Sequence, residues 1–227
     1  MSTAGSPQDA WQAWFESVWA DREDRVYRGM LGDLGEGVYT ATAAHYARLK
    51  QTPRHPGWLH HGVFACPPKG LREHFCYVTS GLSNPWNLSE PGRDESGYSG
   101  VGFELMVCTK ERADWAVSLL HHVMAWQMLV ATGAVQGQPL GPGQRMPLGG
   151  PIDGQKDCAL TWALCEAPTH CAPEFEIPSG KVEWLLLVGA TDKEIEFARA
   201  TDQKVLVARL QEDRCWPVTD PQRQSRI

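Results

Sequence analysis

The sequence predicts an α+β fold, a mixed and mainly antiparallel sheet with helices packed on it. Three observations point there. The apolar runs with strand character come in groups rather than in strict alternation with helices, which disfavours a doubly wound fold. Residues 101–108 alternate Val101, Phe103, Leu105 and Val107 against Gly102, Glu104, Met106 and Cys108, the period of two that a strand imposes. Helix start signals stand before several of the remaining segments. The 227 residues suffice for one sizeable core. The expected division is an N-terminal helical segment over 1–54 packed on a main domain over 55–220, with a short tail over 221–227.

In chain order, Ser6, Pro7 and Asp9 open a helix over 7–24: a hydroxyl to cap free amides, a ring suited to the first turn, an acid at the positive end of the dipole. Trp11, Trp14, Phe15, Val18 and Trp19 form its single apolar stripe. After a glycine-rich break, residues 39–50 read as a weaker helix ending before Pro53. Residues 63–66 and 74–79 read as strands separated by Pro67, Pro68 and Gly70. Asp114 is expected to cap a helix over 115–130. The stretch 133–154, rich in Gly and Pro, is expected to be a long ordered loop. Residues 159–165 and 181–188 are expected to be paired strands, with a turn at Pro178-Ser179-Gly180. Thr191 and Glu194 form a capping box, and Thr201 is expected to cap the last helix.

Bulk composition narrows the function classes. The net charge of −6 and the scattered Lys and Arg would repel a phosphate backbone, so nucleic acid is not an expected partner. The first twenty residues show no basic start, apolar stretch and cleavage site. The most apolar stretch, 115–130, is interrupted by Ser118, His121, His122 and Gln127 and is too short to span a membrane. Seven Cys is an odd count, read here as reduced thiols of a cytoplasmic protein.

The motifs that could carry chemistry fail on spacing. Cys165, His170 and Cys171 lie close together, and His60, His61, Cys66, His74 and Cys76 form a second loose group, but neither has the paired spacing of a zinc site, so no metal and no cofactor are expected. Gly97-Tyr98-Ser99-Gly100 lacks the last glycine of a nucleophile elbow and leads into a strand rather than a helix. Glu104 has no carboxylate partner in sequence and reads as a hydrogen-bonded strand residue. His121 and His122 point about 100° apart on a helix and should not serve one site. What remains is aromatic content: ten Trp, of which Trp58, Trp86 and Trp216 fall outside apolar periodicity and are the expected exposed ones.

Five segments in order resemble the suppressor of fused family. They are His74-Phe75-Cys76-Tyr77-Val78-Thr79-Ser80-Gly81-Leu82-Ser83, then Ser99-Gly100-Val101-Gly102-Phe103-Glu104-Leu105, then Trp115 with its helix, then Pro147-Leu148, and last the run from Pro178-Ser179-Gly180 through Trp184 to Thr191-Asp192-Lys193-Glu194. The resemblance covers about 55–220. It implies a domain that holds another protein, and in animals the family sequesters a zinc-finger transcription factor of the Hedgehog pathway between two lobes. This chain resembles the first lobe and is similar to free-standing bacterial members. The family's Gly-Asp-His segment appears here as Gly137-Gln138-Pro139, without the acidic contact. The family's mode implies that an extended peptide docks along a sheet edge, with 133–154 as a flap.

The sequence therefore leads to a non-enzymatic, cytoplasmic protein-binding domain, with an immunity protein neutralising a toxin as its most concrete form. Trp126, Gln138 and Trp86 are the expected partner contacts. The alternatives are a small hydrolase or metal-dependent enzyme with a site hidden from sequence, and a regulatory subunit of a stable complex.

Overall fold

The computed structural model describes residues 6–227, so residues 1–5, on which the reading of the amino terminus partly rests, lie outside the described residues. Helix α1 (Pro7–Ala20) opens as expected: the Ser6 hydroxyl accepts the Asp9 amide while the Asp9 carboxylate accepts the Ser6 amide. The helix does not stop at residue 24. It runs on through a π-helical turn, Asp21–Tyr27, into α2 (Arg28–Leu31), and ends at Gly32 with φ 87°.

Residues 39–50 are not one helix. They divide into strand β1 (Tyr39–Thr40) and the short helix α3 (Ala43–Ala47). Pairing of Tyr39 with Val63 on β2 (Gly62–Cys66) takes the first residues into the sheet, and Thr42 then caps what is left. A weak intrinsic preference is here overridden by tertiary pairing. Beyond β2 come β3 (Phe75–Ser80), β4 (Tyr98–Thr109) and α4 (Asp114–Ala131). Asp114 is the first helical residue of α4 rather than its cap, which is Ala113. The expected loop 133–154 contains a strand, β5 (Gln144–Pro147), that pairs with β6 (Leu160–Glu166). Next come β7 (Glu174–Ile177), unread in the sequence, and β8 (Gly180–Thr191). The capping box of Thr191 and Glu194 opens α5 (Asp192–Ala200), while Asp202, one residue after the expected Thr201, caps α6 (Gln203–Glu212).

The strands form one sheet in the order β1-β2-β3-β4-β8-β6-β5, with β7 also paired to β8. Every pairing is antiparallel except β4 with β8. The α+β class with a mixed, mainly antiparallel sheet is thus what the chain adopts. Both faces are covered. On one, α4 packs Leu120, Met124 and Met128 against Tyr77, Leu105 and Leu187. On the other, Val18, Val26, Tyr27 and Leu31 meet Val78, Met106, Trp184 and Leu186. Each such side chain stabilises the fold by about 1.5–3 kcal/mol. Helices α5 and α6 cover Leu164 and Ala190. The alternation of 101–108 therefore serves two buried faces, and Glu104 is fully buried.

Candidate functional site

Sheet order leaves β5 at an edge, with β6 its strand partner among the described residues. Beside it, α4 turns a stripe of Trp115, Leu119, His122 and Trp126 outward at helical spacing, each only partly buried. Between this stripe and Met146 and Leu148 runs an open groove of about 470 Å³, with Ile152 also in its lining. Local sequence builds its far wall: after β5, the Leu148 and Ile152 amides still donate to the Thr161 and Leu160 carbonyls, so the chain hugs β6 through the glycine turn at 149–150.

Its lining also carries opposite charges, Arg48 and Asp153. An Arg48 nitrogen meets His122 Nε2 at 2.6 Å, and burial, with the Arg48 charge adding to it, lowers the His122 pKa. His45 lies between the two α4 histidines, with its ring centroid 4.5 Å from His121 and 5.6 Å from His122. Both thus neighbour His45 of α3, but they point to different partners: His121 Nε2 meets the Tyr39 carbonyl, while His122 meets Arg48 and lines the groove. Desolvation holds His45 down to about 4.

Trp126 lines this groove, and Gly137 lies against its ring, close enough that a Cβ there would be 3.3 Å from Trp126 Cζ2. Gln138, next in the chain, is exposed beside it. Trp86 lies elsewhere, in a second hollow of about 790 Å³ shared with Trp11, His55 and Leu88. Its indole nitrogen donates to the Gly81 carbonyl, and its ring packs 5.0 Å from Phe15. The structure thus sets Gly137, the residue before Gln138, against Trp126, while Trp86 lines a separate hollow. Trp58, expected at the surface, is 2% exposed, stacked on Tyr46.

Glu104 is committed to structure. Its carboxylate accepts hydrogen bonds from Thr79 Oγ1, the Gly81 and Ser83 amides and Ser83 Oγ. Arg22, also fully buried, lies 3.8 Å away and donates to Ser80, Ser83 and Asn84. Sequence reasoning passed over Arg22 because a charged residue on a surface helix ordinarily points to water. It also missed a second convergence, since ligand atoms of His74, Cys108 and His170 all lie within 4.8 Å of one another. Their separation in sequence hides them from any spacing rule.

The sequence profile described as Suppressor of fused protein (SUFU) matches residues 57–224, about three quarters of the chain. The chain belongs to the suppressor of fused family. Solved structures of that family share its fold. The Drosophila Suppressor of Fused crystal structure matches at TM-score 0.58 and 23% identity over 73% of this chain, and this chain spans 42% of that one. The Sufu–Fu complex crystal structure matches at TM-score 0.60 and 19% identity, covering 97% of this chain and 93% of that one, too large a share to leave out the N-terminal helix. A suppressor of fused homologue from Neisseria gonorrhoeae is similar at TM-score 0.49 and 18% identity over 73% of this chain and 77% of that one. No curated protein shows a matching sequence.

Proposed function

We propose that this suppressor of fused domain is a non-enzymatic module that binds another protein, taking an extended segment of it alongside β5 in the groove below α4. The observation that carries this reading is the pairing of an edge strand with an apolar, aromatic wall. An edge offers unpaired backbone groups for strand addition, and the wall offers pockets for alternate side chains. Trp126 is the expected anchor, large and rigid, with Gln138 at its side and Trp86 forming a separate contact in the second hollow. The Sufu–Fu complex shows a protein of this fold engaged with another protein. The assignment of Glu104 to four structural hydrogen bonds supports a binding role over a hydrolytic one. The most concrete form of the reading is a cytoplasmic immunity protein that occupies a toxin, for which the net charge of −6 favours a basic target.

Selection of displayed random peptides on the purified protein tests the groove. Enriched sequences are expected to bind wild type and to lose about 2 kcal/mol or more with Trp126→Ala, which should itself unfold at nearly the wild-type urea midpoint because the ring is only partly buried. Peptides that bind Trp126→Ala as tightly as wild type would remove the groove from the proposal. A loss of folding stability of about 3–5 kcal/mol would instead make Trp126 a core residue.

A further inference from the structure

On the face of the sheet opposite α4, where Cys76 and Cys108 are buried, side chains from three separated segments converge. His74 immediately precedes β3, Cys108 is the penultimate residue of β4, and His170 lies between β6 and β7. Cys108 Sγ is 3.9 Å from His170 Nε2, and the two imidazole rings stand 5.7 Å apart at 76°. In a tetrahedral zinc site with Zn–S near 2.3 Å and Zn–N near 2.05 Å, sulfur and nitrogen ligands lie about 3.5–3.9 Å apart. A further thiol stands beside this set. Cys76 pairs directly with Cys108 across β3 and β4, which puts the two side chains on the same face of the sheet.

A second observation points to a ligand independently of the spacing. His74 Nε2 is buried and has no hydrogen-bond partner. A buried imidazole nitrogen without a partner is costly, and it is the atom that a metal would satisfy. The nearby cation, Arg72, is engaged elsewhere, its guanidinium donating to the carbonyls of Leu31, Cys66, Pro67 and His74.

We propose that His74, Cys108 and His170, with Cys76 as the fourth ligand, bind one zinc ion per chain. Two thiolates and two neutral imidazoles leave no net charge on the ion, which suits a largely buried position. The two thiol protons are released to solvent on binding. The ion is structural: it ties the loop between β6 and β7 to the ends of β3 and β4, where Val218 also bridges to Cys108.

Zinc titration of the reduced, metal-stripped full chain tests this, with cobalt as the spectroscopic probe. One equivalent should bind, cobalt should give a thiolate charge-transfer band and a tetrahedral d–d spectrum, and zinc should raise the melting temperature. His170→Ala removes an exposed ring, which the fold should tolerate, and is expected to weaken zinc binding at least tenfold and to abolish most of the zinc-induced stabilisation. Cys108→Ser should reduce the thiolate band. Should that buried substitution fail to fold, His170→Ala carries the test alone. His60→Ala, an exposed histidine outside the cluster, should behave as wild type. Absence of a cobalt–thiolate band in the wild type, or zinc binding by His170→Ala equal to wild type, overturns the proposal.

Discussion

Glycines show how finely a single position is decided. At Gly102, inside the alternating strand, a Cβ would meet only the Tyr98 side chain, at 3.3 Å, under a φ of 92°. The close approach is at Gly100, with φ 58°, where a Cβ would run into the carbonyl oxygens of Asn84 and Leu82. Backbone cannot move aside as a flexible side chain can, and the left-handed conformation adds strain. Gly100→Ala is therefore expected to cost about 3 kcal/mol or more and Gly102→Ala about 1–2 kcal/mol, read from urea midpoints. Equal losses would show that φ alone matters at both. Both residues are legible as glycines of a strand entrance. Which of them faces the 82–84 turn depends on how that turn folds back, and no local pattern contains that.

At the scale of elements, caps were the most legible features because they are local hydrogen-bonding rules. Ser6 with Asp9 and Thr191 with Glu194 form as expected, while the shift from Thr201 to Asp202 is the one-residue error inherent in helix ends. Glu194 also does something that its own segment does not announce. Arg223, from the chain's last residues, reaches it at 2.6 Å with both side chains buried and donates to the Gly189 carbonyl as well. Burial pushes the Glu194 pKa up, but the Arg223 hydrogen bond and charge, with the Thr191 and Arg226 amides, outweigh it and leave the carboxyl below its usual value. Removing one partner of such a pair strands the other. Arg223→Ala is expected to destabilise by about 3–5 kcal/mol, seen as a lower urea midpoint, whereas a free tail would make it neutral. Strand β5 was hidden for the opposite reason: Gln144, Arg145, Met146 and Pro147 have little strand propensity, and β6 recruits them.

Across the whole molecule, stability should depend on pH through histidines held neutral. Burial, reinforced by Arg22 and His60, pushes His61 down to about 3, and its ring meets the Asn84 side-chain nitrogen and the rings of Phe15, Trp19 and Trp86. His45 follows the same direction. The unfolded chain takes up these protons near pH 6.5 and the folded chain only far lower, so the stabilisation is fully present above about pH 6.5 and is lost as pH falls towards the folded values. Between pH 7 and 5 His61 should account for about 1–2 kcal/mol, measured by urea unfolding at both pH values, and His61→Gln should flatten that slope. An unchanged slope would place the titration elsewhere. The sequence by itself determined the class of fold, the main strands, the capped helices and the family, because propensity, periodicity, caps and motif order are local or ordered along the chain. Only the tertiary structure decided that Arg22 is buried beside Glu104, that Gly137 lies against Trp126 while Trp86 lines a separate hollow, and that His74, Cys108 and His170 meet. Those outcomes depend on which strands pair and which helix covers which face, and contacts between residues tens of positions apart leave no period or spacing in the sequence.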